Sequence, residues 1–193
     1  MRIAIIDESA ARASIIEEGL SSLESSEIFL LTSREGLMAR IAEIAPDVVF
    51  MDLGNPSRDV LEEYFNMSRA LDRPIAMFVD QSDEASIAAS IDAGVSTYVV
   101  DGLAAHRIQP LLQTTMRRFQ AYARLEAELS EAQGKLAERD TIDKAKRILM
   151  QTKGVTEPAA YAELRQKAMS SSRRIIDIAD AVVTAQELMG GQS

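Results

Sequence analysis

Three carboxylates early in the chain have the type and spacing to hold a hard cation. Asp7 and Glu8 follow the apolar run "RIAII", and Asp52 closes "DVVFMD". A few carboxylate oxygens, with several waters retained, suit Mg²⁺. A single carboxylate at a strand end is an ordinary solvated loop residue, but three at such positions favour a site. Other site chemistry is poorly supplied. The chain has no cysteine and one histidine, His106, so it lacks the ligands of a thiolate zinc site, has no disulfide framework and offers little to a His-dependent triad. No cofactor is required by any motif; Mg²⁺ at the acidic cluster is the one the residues could take.

For these carboxylates to meet, the first and third strands must lie side by side. The first 110 residues are built for that. "RIAIID", "EIFLLT", "DVVFMD", "PIAMFVD" and "TYVV" read as strands. Between them come helical patterns: "SAARASIIEEGLSSL", "SREGLMARIAEIA" with Ser33 as its N-cap, "PSRDVLEEYFNMSRAL", and "SDEASIAASIDAG" closed by Gly94. Strict alternation predicts an α/β fold, a five-stranded doubly wound parallel sheet whose functional groups gather at the carboxyl ends of the strands.

From about Ala104 the pattern turns helical and stays so. Tyr122, Leu125, Leu129, Ala132 and Leu136 form a short heptad seam, read either as a helix lying on its own domain or, as we favour, as a coiled-coil homodimer contact. Three helical pieces follow: "DTIDKAKRILMQTKG", "TEPAAYAELRQKAM" with Thr156 as N-cap, and "SSRRIIDIADAVVTAQELM" starting from a serine cap. Ile142, Ala145, Ile148, Leu149, Ala160, Tyr161, Leu164, Ala168, Ile175, Ile178, Ala179, Val182 and Val183 are placed to make a small three-helix core, Tyr161 among them. The expected division is 1–120 for the α/β domain, 121–138 for a coiled-coil linker helix and 139–193 for the helical module, with "GGQS" as a frayed tail.

The formal charge of −9 over 193 residues argues against a nucleic-acid partner until its distribution is examined. Residues 1–138 carry net −11 and residues 139–193 net +2. Within Lys144 to Arg174, eight basic side chains (Lys144, Lys146, Arg147, Lys153, Arg165, Lys167, Arg173, Arg174) face only Glu157 and Glu163. Such a strip can bind phosphates, and it can equally be a solvated helix face. The N-terminal apolar run is far too short for a signal peptide and nothing later approaches a membrane span, so a cytoplasmic location is expected.

"IIDES" and "VVFMDLGNP", set in five βα units over about residues 1–120, resemble the receiver domain of bacterial two-component response regulators. The resemblance implies that Asp7 and Glu8 correspond to a Mg²⁺-holding pair and Asp52 to the phosphoacceptor, and that Tyr98 stands at the aromatic switch position. Two departures follow. Val79 and Asp80 stand where receivers end strand four in Ser or Thr, and Asp101 stands where they carry a lysine. An aspartate there opposes added negative charge, so phosphorylation of Asp52 is expected to be weak or absent, with Asp101 facing Asp52; the domain resembles a pseudo-receiver. Ser82 could offer a hydroxyl, two or three residues late in register.

Further on, "KAKRILM", the spacing A-Y-x-x-L-R-x-x-A from Ala160 to Ala168, and "IADAVV" resemble the ANTAR domain of the AmiR and NasR transcription antitermination regulators, and "YVVDG" is most similar to the NasT nitrate-assimilation type. The resemblance implies a non-enzymatic regulator that binds a hairpin in nascent leader RNA. It also implies restraint by a nitrate-sensing partner protein. Two alternatives stand beside it: a phosphorylation-activated response regulator with a DNA-binding helical output, and a protein-interaction scaffold using the heptad seam.

Overall fold

The computed structural model describes residues 1–21, 23 and 25–190; the end of the expected frayed tail, 191–193, lies outside the described residues. The elements are β1 Arg2–Asp7, α1 Ala10–Leu20, β2 Glu27–Leu31, α2 Leu37–Ile44, β3 Val48–Asp52, α3 Arg58–Ala70, β4 Ile75–Val79, α4 Glu84–Asp92, β5 Thr97–Val100, α5 Ala105–Lys153, α6 Glu157–Ser170 and α7 Ile175–Gly190. The strands form one parallel sheet in the order β2-β1-β3-β4-β5. The chain winds outward from β1 in both directions, which leaves a crevice at the carboxyl ends of β1 and β3.

The β1, β3 and β4 runs are apolar without alternation because both faces of the sheet are covered. Ala4, Ile6, Val49, Met51 and Met77 pack toward Leu37 and Ile41 of α2 and Leu61, Tyr64 and Phe65 of α3. Ile3, Ile5, Val48, Phe50 and Phe78 pack toward Ala13, Ile16 and Leu20 of α1 and Ile108 and Leu112 of α5. Fully burying a side chain such as Phe50 or Phe78 stabilises by roughly 1.5–3 kcal/mol. Gly19 lets α1 and α5 approach: a Cβ there would lie 2.5 Å from the Ala105 carbonyl oxygen and from Ile108 Cβ.

Local chemistry explains several ends and corrects two. Ser57 caps α3 by accepting from the Val60 amide, and Asp83 caps α4 by accepting from the Ser86 amide at 2.7 Å. Gly94 takes φ +78° just past α4. Ser33 does not cap α2; its hydroxyl accepts from the Glu35 amide in the preceding turn, and Gly36 at φ +61° is the N-cap. The serine run before α7 does not cap it either. Ser171 is the C-cap of α6, and the Arg174 amide is satisfied by the Asp177 carboxylate one turn into the helix. Thr156 is the N-cap of α6, without a side-chain hydrogen bond.

The chain forms two compact units, Met1–Arg124 and Leu125–Ser193. Helix α5 runs unbroken through 49 residues, so the linker helix and the first piece of the helical module are one element. Gly134 is the only glycine in that helix and is tolerated there, with Lys135 paired to Glu131 across one turn. In the second unit, Ala145 and Leu149 of α5 pack with Ala160, Leu164 and Ala168 of α6 and Ile178 and Ala179 of α7. Among the described residues, no helix is long and apolar enough to cross a membrane.

Candidate functional site

Asp7 and Asp52 are register partners on β1 and β3 and are buried, 3% and 4% exposed. Glu8 does not join them. It lies past the strand end, exposed, and pairs with Arg34, whose guanidinium also sits over the Tyr64 ring. Asp52 is held instead by a residue the sequence pattern did not single out. Arg12, in the first turn of α1, donates from Nη2 to Asp52 Oδ1 at 2.6 Å and from Nε to Asp52 Oδ2 at 2.8 Å. The Gly54 amide donates to the same Oδ1 at 3.1 Å. The remaining arm of the guanidinium, Nη1, donates to Asp80 Oδ1 at 2.8 Å.

This fork is a bidentate, charge-assisted pair around a carboxylate removed from water. Hydrogen bonding to Asp52 first, and to Asp80 after it, holds the Arg12 guanidinium even more firmly protonated than usual. Burial pushes the Asp7 carboxyl up, and the Asp52 charge adds to that; the Ser9 amide, which donates to Asp7 Oδ1 at 2.7 Å, and Arg12 oppose it. Asp7 Oδ2 is buried with no hydrogen-bond partner.

The expected trio does not fit a divalent cation. Both Asp52 oxygens are occupied by the guanidinium and Glu8 is paired elsewhere. Among the described residues no group of three or more such ligands is arranged to hold a metal ion.

Of the departures at the sheet edge, Val79 is buried core, while Asp80 is exposed and bound to Arg12. Asp101 is exposed at φ +48°, its amide donates to the Val79 carbonyl at 2.9 Å, and it enters no ion pair among the described residues. Asp80 is a further carboxylate tied to Asp52 through the shared Arg12 guanidinium. Tyr98 is half-buried, its ring 6.5 Å from that of Phe65 and its hydroxyl 3.0 Å from Ser82 Oγ. The Ser82 hydroxyl thus serves Tyr98 and not Asp52.

The second unit disposes of its charge differently. Lys146 is only 15% exposed and pairs with Asp143 at 2.6 Å and with Glu157 at 2.7 Å, joining α5 to α6. Lys153 pairs with Glu163, and Arg174 with Asp177 at 3.0 Å and Glu138 at 3.6 Å. Lys144, Arg147, Arg165, Lys167 and Arg173 are exposed and enter no ion pair among the described residues. Tyr161 is not core: it is 45% exposed. The core face of α6 is set by Ala160, Leu164 and Ala168, and Tyr161 lies about 100° round from Ala160. It shares a face at i, i+4 and i+8 with Arg165 and Met169, the last 71% exposed. An aromatic ring, a guanidinium and a thioether in one exposed row can stack on unpaired bases and bind phosphate.

Known proteins bear on both units. The ANTAR domain model matches residues 130–183. The chain is 24% identical to the transcriptional regulatory protein PdtaR of Mycobacterium tuberculosis, over 94% of this chain and 89% of that protein. It is 32% identical to the nitrate regulatory protein of Klebsiella oxytoca, over 46% of this chain and 22% of that protein. The fold is similar to the crystal structure of the signal receiver domain of a modulated diguanylate cyclase from Desulfovibrio desulfuricans, with TM-score 0.51 at 14% identity, covering 63% of this chain and 97% of that one. The chain thus joins a receiver-like α/β fold to a helical unit that matches the ANTAR domain.

Proposed function

We propose that the protein is an RNA-binding transcription antiterminator that uses its second unit to grip a hairpin in nascent leader RNA. The observation that carries this reading is the exposed row Tyr161, Arg165 and Met169 on α6, with Lys144, Arg147, Lys167 and Arg173 also free of acidic partners among the described residues. Reading a hairpin loop needs groups that stack on splayed bases as well as cations that meet phosphates. The ANTAR match over 130–183 supports the assignment.

The receiver-like unit is then the regulatory part, controlled by a sensor protein and not by catalysis of its own. Similarity to a nitrate regulatory protein favours nitrate or nitrite assimilation genes as the target and a nitrate-sensing protein as the controller. The seam residues Tyr122, Leu125, Leu129 and Leu136 are each about three-fifths exposed, which supports a homodimer through α5.

The test is selection of RNA by the purified full chain from a pool of hairpins with randomised loops. Enrichment of a loop motif that binds the wild-type chain and not an Arg165→Ala variant of unchanged melting temperature supports the reading. Equal retention of single strands, duplexes and hairpins at matched salt contradicts it.

A further inference from the structure

The acidic pocket contains a cation of its own, and it is covalently part of the chain. The Arg12 guanidinium contacts both oxygens of buried Asp52 and one oxygen of Asp80, with the Gly54 amide completing the Asp52 shell. Beside it, Asp7 is 3% exposed and its Oδ2 is buried without a partner. Acidic side chains crowded away from water need a counter-charge, and here the need is met by a planar fork matched to the carboxylate. Asp7 Oδ2 marks the capacity left over: a buried oxygen with no donor, next to an occupied ligand.

We propose that Arg12 is the resident cation of this pocket, standing where a divalent metal would otherwise bind and closing Asp52 to it. The closure is also a latch. Through Asp80 the guanidinium ties α1 to the segment after β4, where the Asp80 amide donates to the Gly54 carbonyl at 2.6 Å. Two residues on, Ser82 bonds the Tyr98 hydroxyl. Metal-free wild-type protein therefore holds the sheet edge in its paired arrangement.

The experiment compares the full chain with Arg12→Ala and Arg12→Gln, following melting temperature against Mg²⁺ at constant ionic strength and Mn²⁺ binding by paramagnetic relaxation. Wild-type melting is expected to be unmoved up to about 10 mM Mg²⁺, since a ligand stabilises only by occupying the native state. The Arg12 variants should melt lower without metal, recover saturably as Mg²⁺ is added, and bind Mn²⁺ at least about tenfold more tightly than wild type. Adding Asp52→Asn should abolish that gain. If a variant folds only with Mg²⁺ present during refolding, the proposal is supported as well. It is overturned if wild type binds Mn²⁺ as tightly as the variants in an Asp52-dependent way, or if folded Arg12 variants gain no metal binding.

Discussion

The pocket at the ends of β1 and β3 and the exposed face of the helical unit dispose of charge in opposite ways. In the pocket the cation is used up: Arg12 is held by Asp52 and Asp80. On the helical unit, Lys144, Arg147, Arg165, Lys167 and Arg173 are left without acidic partners among the described residues. A counter-ion consumed inside the fold contributes to stability and is withheld from ligands. One left in solvent contributes almost nothing to stability and is available for phosphate. The contrast separates a scaffold role from a binding role without reference to total charge, which is acidic.

The contrast breaks most visibly at Arg12. Removing one partner of a buried pair leaves an uncompensated charge, so Arg12→Ala should cost about 3 kcal/mol in urea unfolding; a loss below about 0.5 kcal/mol, the range of an ordinary surface change, would sink the claim that the pair is structural. On the other side, Tyr161→Ala should leave unfolding within about 0.5 kcal/mol of wild type and weaken hairpin binding by roughly tenfold, the worth of one stacked base. Gel-shift titration beside a melting curve checks both halves. A lowered melting temperature with full RNA affinity would return Tyr161 to the core.

Two smaller effects sharpen the line between the regions. Lys146→Ala should lower the melting temperature, because it unties α5 from α6, while Arg147→Ala leaves melting unchanged and weakens RNA binding. If the two variants behave alike, the division between paired and free cations has no meaning there. Asp7 gives the pH dependence. Burial raises its folded pKa above the unfolded value, so the ionised carboxyl is a stability penalty at neutral pH that is relieved as pH falls through the folded pKa. Asp7→Asn should therefore melt higher than wild type near pH 7, and the gap should close in acid below the ordinary carboxylate range. A gap that persists or widens in acid would contradict the sign.

The sheet was legible because strands covered on both faces read as short apolar runs, and the strand-end positions of Asp7 and Asp52 follow from that register alone. Arg12 was not. In "SAARAS" it occupies a polar position of an amphipathic helix, where an arginine reads as solvated. The signal that could have found it was the surplus of acid at the sheet edge, together with the placement of the first turn of α1 directly after β1. Asp101 stands at the end of β5 with a left-handed backbone and an exposed side chain, features that the residue pattern alone does not show. Tyr161 was misplaced by one helical step, since a core face made of Ala160, Leu164 and Ala168 is narrow enough to leave its neighbour outside. The serine run before α7 reads as its cap, but the amide at the helix start is satisfied locally, by the Asp177 carboxylate three residues on from Arg174.

If the unpaired cations of α5 and α6 form the proposed RNA-binding surface, hairpin affinity must depend on salt through them, which is measured by comparing the full chain with its Lys144→Ala, Arg147→Ala, Arg165→Ala triple variant. Removing one phosphate-binding cation should lower the slope of log affinity against log salt by about 0.7–0.9, so the account predicts that the triple variant has a slope smaller by about 2 or more, with melting unchanged. An unchanged slope and affinity would contradict it.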